Sequence, residues 1–276
     1  MKRIMAYPYA VWMLLFILIP LGLVLYYSFT AAGGSGGPAA AFSLSNFGRA
    51  FEPIYVSVLW RSLALGLVST GVCLLLGYPV AYIMSGRELS KKSFLIFLFL
   101  VPMWMNFLLR TYAWLSILEQ NGFVNTLLSD IGLPKINILY TEKAVVLGMV
   151  YNFLPFMILP IHTVLTKIDR QLIEAAQDLG ANSVSVFFRL VFPLSLPGVV
   201  SGVTMVFLPA VTTFVISDLL GGNKTQLVGN VIEQQFLLVN DWNFGSALSV
   251  ILMLVILATM AVFSALDNRS EGGALF

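Results

Sequence analysis

Six stretches of this chain are long and apolar enough to cross a bilayer, and that removes most folds from consideration. A bilayer core asks for about 20 apolar residues per crossing helix. The runs Tyr7–Phe29, Leu63–Met84, Phe94–Ile117, Ala144–Val164, Val199–Leu219 and Gly245–Leu266 all reach that length. Lipid offers no partner to a backbone N–H or C=O, so a crossing segment must pair its own groups, and all six runs are read as helices. The expected class is an all-α polytopic membrane protein with six transmembrane helices. Composition agrees, because 59% of the 276 residues are hydrophobic and 10% are charged. A soluble domain carries about 25% charged residues and can cover itself with a hydrated surface.

The first run follows Lys2 and Arg3, so a secretory signal has to be weighed. It exceeds the roughly 7–15 apolar residues of a signal core, and no cleavage pattern precedes Ala31, so it is read as a retained span with a kink at Pro20. Residues 31–41 form a low-complexity tether, and Asn46 to Arg61 reads as a short interfacial helix. The expected organisation is one transmembrane domain over 1–276, its core helices within 62–266 and residues 1–61 leading in. Lys and Arg are more frequent in the loops on the side of the N-terminus, which places both termini in the cytoplasm.

Several chemistries are excluded. A net charge of +2 with no basic run gives no footing for nucleic acid, and Cys73 has no second cysteine to pair with. His162 is the one histidine, so no zinc cluster and no Ser/His/Asp set can be assembled; no catalytic residue and no metal ligand is expected. A packed core histidine is the expected role of His162. No G-x-x-x-x-G-K-[ST] loop is present, so nucleotide hydrolysis is not expected in this chain.

One polar stretch between the apolar runs has no part in spanning. In 169–180, Leu172, Ala175, Ala176 and Leu179 share one narrow helical face, and Gly180 suits a left-handed helix end. A second amphipathic run, with Val184, Phe187, Phe188 and Val191, is expected to end at Pro193. Either reading of such an element, a dock for another protein or a helix lying on lipid, fits its amphipathicity; its acidic members oppose anionic headgroups.

Glu174-Ala175-Ala176, Gly180, and then Phe187, Leu190, Phe192 and Pro193 resemble the EAA motif of permease subunits of ABC importers. Phe192 departs from that pattern, which more usually has an aliphatic residue there. The resemblance implies the type I permease fold of that superfamily and a cytoplasmic coupling helix seated in a groove of an ATP-hydrolysing subunit. Glu174, Ala175, Ala176, Gly180 and Phe187 would then couple to the ATPase. ATP and Mg would lie on that partner, leaving no cofactor in this chain.

Further stretches are similar to the spermidine/putrescine permeases. They are Leu100-Val101-Pro102-Met103-Trp104-Met105-Asn106 with Leu109-Arg110 and Tyr112, Ile216-Ser217-Asp218-Leu219-Leu220-Gly221-Gly222, and Gly229-Asn230-Val231-Ile232 with Gln235-Phe236. Leu76-Gly77-Tyr78-Pro79 and Asp241-Trp242 belong with them. A polyamine path wants carboxylates for ammonium groups and aromatic faces for cation–π contact. Trp104, Asn106, Tyr112, Phe214 and Asp218 are the candidate path residues. Asp218 is equally suited to capping backbone groups or pairing with Lys224, and Arg110 reads as structural, snorkelling outward or paired with a carboxylate. The Gly198–Gly202 pair favours close helix packing, and Pro209 offers a bend in the fifth span.

The implied partners are two copies of an ATP-binding subunit, a second related permease, an extracytoplasmic polyamine-binding protein and the lipid bilayer, in a bacterial cell membrane. The competing readings are the same machine for another solute (an amino-acid derivative, an anion or iron), an ion-coupled secondary carrier, and a membrane scaffold.

Overall fold

The computed structural model describes residues 6–30, 42–86 and 101–272. Among the described residues five helical stretches are long and apolar enough to cross a membrane: Val11–Ser28, Pro53–Ser85, Glu142–Leu165, Ser183–Thr212 and Trp242–Ala265. They overlap five of the six runs read from the sequence; the fifth, expected over Val199–Leu219, instead starts at Ser183 and ends at Thr212. The remaining run, Phe94–Ile117, lies partly outside the described residues, and the tether 31–41 lies wholly outside them. In chain order the helices are α1 (Ala6–Met13), α2 (Ile19–Ser28), α3 (Ser45–Ala50), α4 (Pro53–Ser85), α5 (Phe107–Leu118), α6 (Phe123–Asp130) and α7 (Glu142–Leu165). They continue with α8 (Arg170–Asp178), α9 (Ser183–Val186), α10 (Phe192–Thr212), α11 (Val215–Gly221), α12 (Val228–Leu237) and α13 (Trp242–Gly272).

Proline decides several of these boundaries, and not always as expected. Between α1 and α2 a π-helical turn, Leu14–Leu18, lets the Ile19 N–H reach Leu14 O. The wider turn stands just before Pro20, where a normal turn would press the ring on the carbonyl four residues back. The same device, Phe187–Val191 with Phe192 N–H on Phe187 O, precedes Pro193. The amphipathic run therefore does not end at that proline. It continues as one stretch into the fifth span, Ser183–Thr212. The stretch Asn46 to Arg61 is also not a single short helix. Its first part is α3, and Pro53 opens α4, where its missing N–H costs nothing.

The chain divides into two compact units. The described residues of Met1–Trp60 with Val228–Leu257 form one. Its core is Phe244 packed with Ala50, Val231 and Leu248. The Arg49 guanidinium sits 4.0 Å above the Phe244 ring and pairs with Asp241 at 2.9 Å. Asp241 also accepts from the Phe244 N–H at 3.0 Å, so one carboxylate starts α13 and holds α3. Two asparagines secure the end of the first span: Asn46 and Asn243 both donate to Thr30 O, at 2.8 and 2.9 Å.

The second unit comprises Arg61–Leu227 and the described part of Ala258–Phe276, organised around α7. Met149, Met157 and Ile161 of α7 are fully buried. Glycines let neighbouring helices reach its backbone. A Cβ at Gly198 would stand 3.0 Å from Pro160 O and 3.1 Å from Ile161 Cα; at Gly202 it would stand 3.2 Å from Met157 O. This is the close packing expected of that pair. Gly148 of α7 makes room for Leu220 and Ile216 of α11 in the same way.

Gly198→Leu should therefore cost about 1–3 kcal/mol, because backbone rather than a flexible side chain blocks it. Thermal unfolding in detergent should start at a lower temperature. Gly71→Leu, where a Cβ meets nothing within 4 Å, should leave the transition in place.

Candidate functional site

The polar stretch singled out in the sequence is built as a short cap across the α7 and α10 hairpin. Asp169 starts α8, its carboxylate accepting from the Gln171 N–H at 3.0 Å. At the other end Gly180 has φ +84°, the left-handed conformation expected of it. The Gly180 N–H reaches Gln177 O at 2.9 Å and the Ala181 N–H reaches Ala176 O at 3.0 Å. These two bonds are a complete Schellman motif, which pairs carbonyls that the helix end would otherwise leave open. Two residues later Asn182 starts the next helix by accepting from Ser185 N–H at 2.8 Å. The whole segment thus has its ends tied down by its own backbone and caps.

Its two faces do different things. Ile173, Ala176 and Ala181 pack onto the core cluster of the unit. Leu172, Leu179, Val184 and Phe188 do not: they are exposed, Leu179 to 90%. The apolar stripe Leu172, Ala175, Ala176, Leu179 is therefore split, with Ala176 turned inward and the leucines outward. Glu174 and Ala175 are exposed. Glu174 also lines a cleft of about 430 Å³ with Tyr82, Ser85, Gly86, Arg170 and Gln177. Phe187 is placed differently from the other four coupling candidates. Its ring meets Tyr78 and Tyr82 of α4 edge-on at 5.9 and 5.2 Å, turned toward that helix. Tyr78 in turn donates to Ser195 Oγ at 2.8 Å, since the serine proton goes to Phe192 O. Exposed Phe188, next along the chain, takes the outward position.

The five path candidates lie around two interruptions. The helical turn 101–104 stops, Asn106 is extended, and its side chain accepts from the Leu108 N–H at 2.8 Å to start α5. In the fifth span the break falls at Thr213, whose ψ of 141° ends α10, and not at Pro209, which stays helical. Phe214 and α11 follow. An interrupted helix at membrane depth needs protein or a watery cavity around its freed backbone. The helices beyond the two breaks, α5 and α11, pack on each other. Trp104, Asn106, Tyr112, Phe214 and Asp218 are all left exposed by this chain's own packing. Arg110 is on the opposite, core-facing side of α5, 8% exposed, its Nε buried without a hydrogen-bond partner. It makes no ion pair with Asp218. His162 is packed in α7, 9% exposed, its Nε2 buried without a hydrogen-bond partner. Among the described residues no three His, Cys, Asp or Glu side chains gather as a metal site would require.

Missed in the sequence were the break at Thr213 and the inward role of Ile173. No local pattern marked the first, since β-branched pairs such as Val199-Val200 stay helical within α10.

Residues 74–271 match the family of binding-protein-dependent transport system inner membrane components. The chain is 44% identical over 254 residues to the spermidine/putrescine transport system permease protein PotB of Haemophilus influenzae, covering 91% of this chain and 88% of that one. Against PotB of Escherichia coli the identity is 39%, with 91% and 92% covered. In fold it is similar to a chain of a bacterial ABC transporter involved in the import of the acidic polysaccharide alginate, with a TM-score of 0.77 at 16% identity, covering 97% and 95% of the two chains. Five candidate membrane spans among the described residues, a capped helix displayed between α7 and the fifth span, and a family match over residues 74–271 make this chain a member of the binding-protein-dependent transport system inner membrane components.

Proposed function

We propose that this chain is the permease subunit of an ATP-driven importer of spermidine or putrescine. An extracytoplasmic binding protein delivers the substrate, two copies of an ATPase subunit supply the work, and a second related permease completes the path. ATP and Mg belong to the ATPase, and both termini of this chain lie in the cytoplasm. The observation that carries the reading is the displayed edge of α8: Leu172, Glu174 and Leu179 exposed on a helix whose two ends are locked. An exposed leucine edge beside a carboxylate suits a protein groove, whereas lipid binding would want basic residues there. In this reading Glu174, Ala175 and Gly180 meet the ATPase, Ala176 sets the distance to the bundle, and Phe187 positions the segment from within. The names of the relatives at 44% and 39% identity support the polyamine substrate.

The path runs past the two interruptions. The end of α10 at Thr213 presents the negative pole of a helix dipole, which suits an ammonium group. Trp104, Tyr112 and Phe214 offer ring faces to the methylene and ammonium groups, Asn106 offers a hydrogen bond, and Asp218 a full charge.

Leu179→Asp should weaken association with the ATPase about tenfold, a loss of about 1.4 kcal/mol. Pull-down of the ATPase by the tagged chain measures it, and the chain's own unfolding should not change, because the residue packs on nothing inside. Gly180→Val places a β-branched residue at φ +84°, costs about 1–2 kcal/mol, and should lower uptake of labelled polyamine while leaving membrane insertion intact. Asp218→Asn should raise the KM for spermidine about tenfold or more, as expected for loss of a charged hydrogen bond. An unchanged KM with lowered chain stability would instead make Asp218 structural.

A further inference from the structure

An apolar groove of about 700 Å³ runs along the Arg61–Leu227 unit, apart from both the α8 segment and the two interruptions. One wall is the stripe Leu65, Val68 and Val72 of α4; the other is Val146, Val150 and Leu154 of α7. Trp114 of α5 and Tyr151, edge-on at 5.2 Å, border it. Charge is confined to one end. Glu142 and Lys143 line the groove there, and Arg61 Nε stands 3.4 Å from Glu142 Oε1. All three are exposed, and together they leave one net positive charge.

The dimensions narrow the choice of occupant. From Arg61 to Val72 the α4 wall rises about 16 Å, and from Glu142 to Leu154 the α7 wall rises about 18 Å. One leaflet of a bilayer core is about 15 Å deep. Both walls therefore start at the same charged mouth, which the Arg61–Glu142 pair holds level, and stay apolar for the depth of one leaflet. A single extended hydrocarbon chain reaches over this depth.

We propose that this groove binds an anionic phospholipid, one acyl chain lying along the walls and the headgroup phosphate held at Arg61 and Lys143. Glu142 fixes the Arg61 guanidinium through one nitrogen and leaves others to donate to phosphate oxygens. A headgroup with no net charge gains less from the net positive mouth. The site is independent of which solute the protein carries.

The test uses Trp114 as the reporter. Full-length chain, purified with the subunits that accompany it, is reconstituted into phosphatidylcholine vesicles. These contain a brominated quencher lipid, either phosphatidylglycerol or phosphatidylcholine, at matched mole fractions. The difference in emission between wild type and Trp114→Phe isolates that ring from the other tryptophans. Half-quenching should need about tenfold less brominated phosphatidylglycerol than brominated phosphatidylcholine, and the double variant Arg61→Gln, Lys143→Gln should remove the preference. Equal quenching by the two lipids would mean bulk lipid only and overturn the site. No quenching by either would mean that protein fills the groove, which overturns it as well, and a preference that survives the double variant would overturn the headgroup contact.

Discussion

Everything in the larger unit depends on α7 and α10 lying with backbone against backbone. Gly198 and Gly202 remove the side chains that would hold the two helices apart, and Pro160, Ile161 and Met157 fill the space. Packing of this kind has little freedom to slide, because Gly198 faces the main chain of Pro160 and Ile161, and Gly202 faces the Met157 carbonyl as well as its side chain. The segment 166–182 joins these two helices, so its position is inherited from theirs. Residues Ile173, Ala176 and Ala181 then need only small contacts to hold α8 against the bundle. The Schellman bonds at Gly180 and the Asn182 cap remove the remaining slack.

The same hairpin governs the far end of the molecule's candidate path. The core of α7 accepts α11 at Gly148, where Leu220 and Ile216 come too close for any larger residue. The chain must leave the axis of α10 to make that contact, and Thr213 is where it does so. A force applied at α8 and a break at Thr213 are thus connected through one helix, Ser183–Thr212, that begins beside the former and ends at the latter. In the proposed importer this is the element that would carry motion from the ATPase to the substrate path.

The helices, and the polar character of 169–180, were plain in the sequence because lipid leaves a chain so few choices. Gly180 was equally legible, since only glycine takes φ +84° without strain. Less legible was anything set by packing between elements. Pro193 reads as a stop, but a π-turn one residue earlier absorbs it. Pro209 reads as a bend, but the break at Thr213 is imposed by where α11 must pack. Helical periodicity placed Leu172 and Leu179 on one face with Ala176, yet it cannot say whether a stripe faces the chain's own core or a partner. Phe187 belongs to the motif but sits between Tyr78 and Tyr82, which no local pattern reveals.

The claim that the hairpin presents α8 to an ATPase is most directly checked by cysteine reactivity at Leu179. The chain's own Cys73 is fully buried and gives little background. With Leu179→Cys, a membrane-impermeant maleimide should label inside-out vesicles and not intact cells, and added ATPase subunit should protect the site. Labelling from outside the cell, or labelling that the ATPase leaves unchanged, would contradict it.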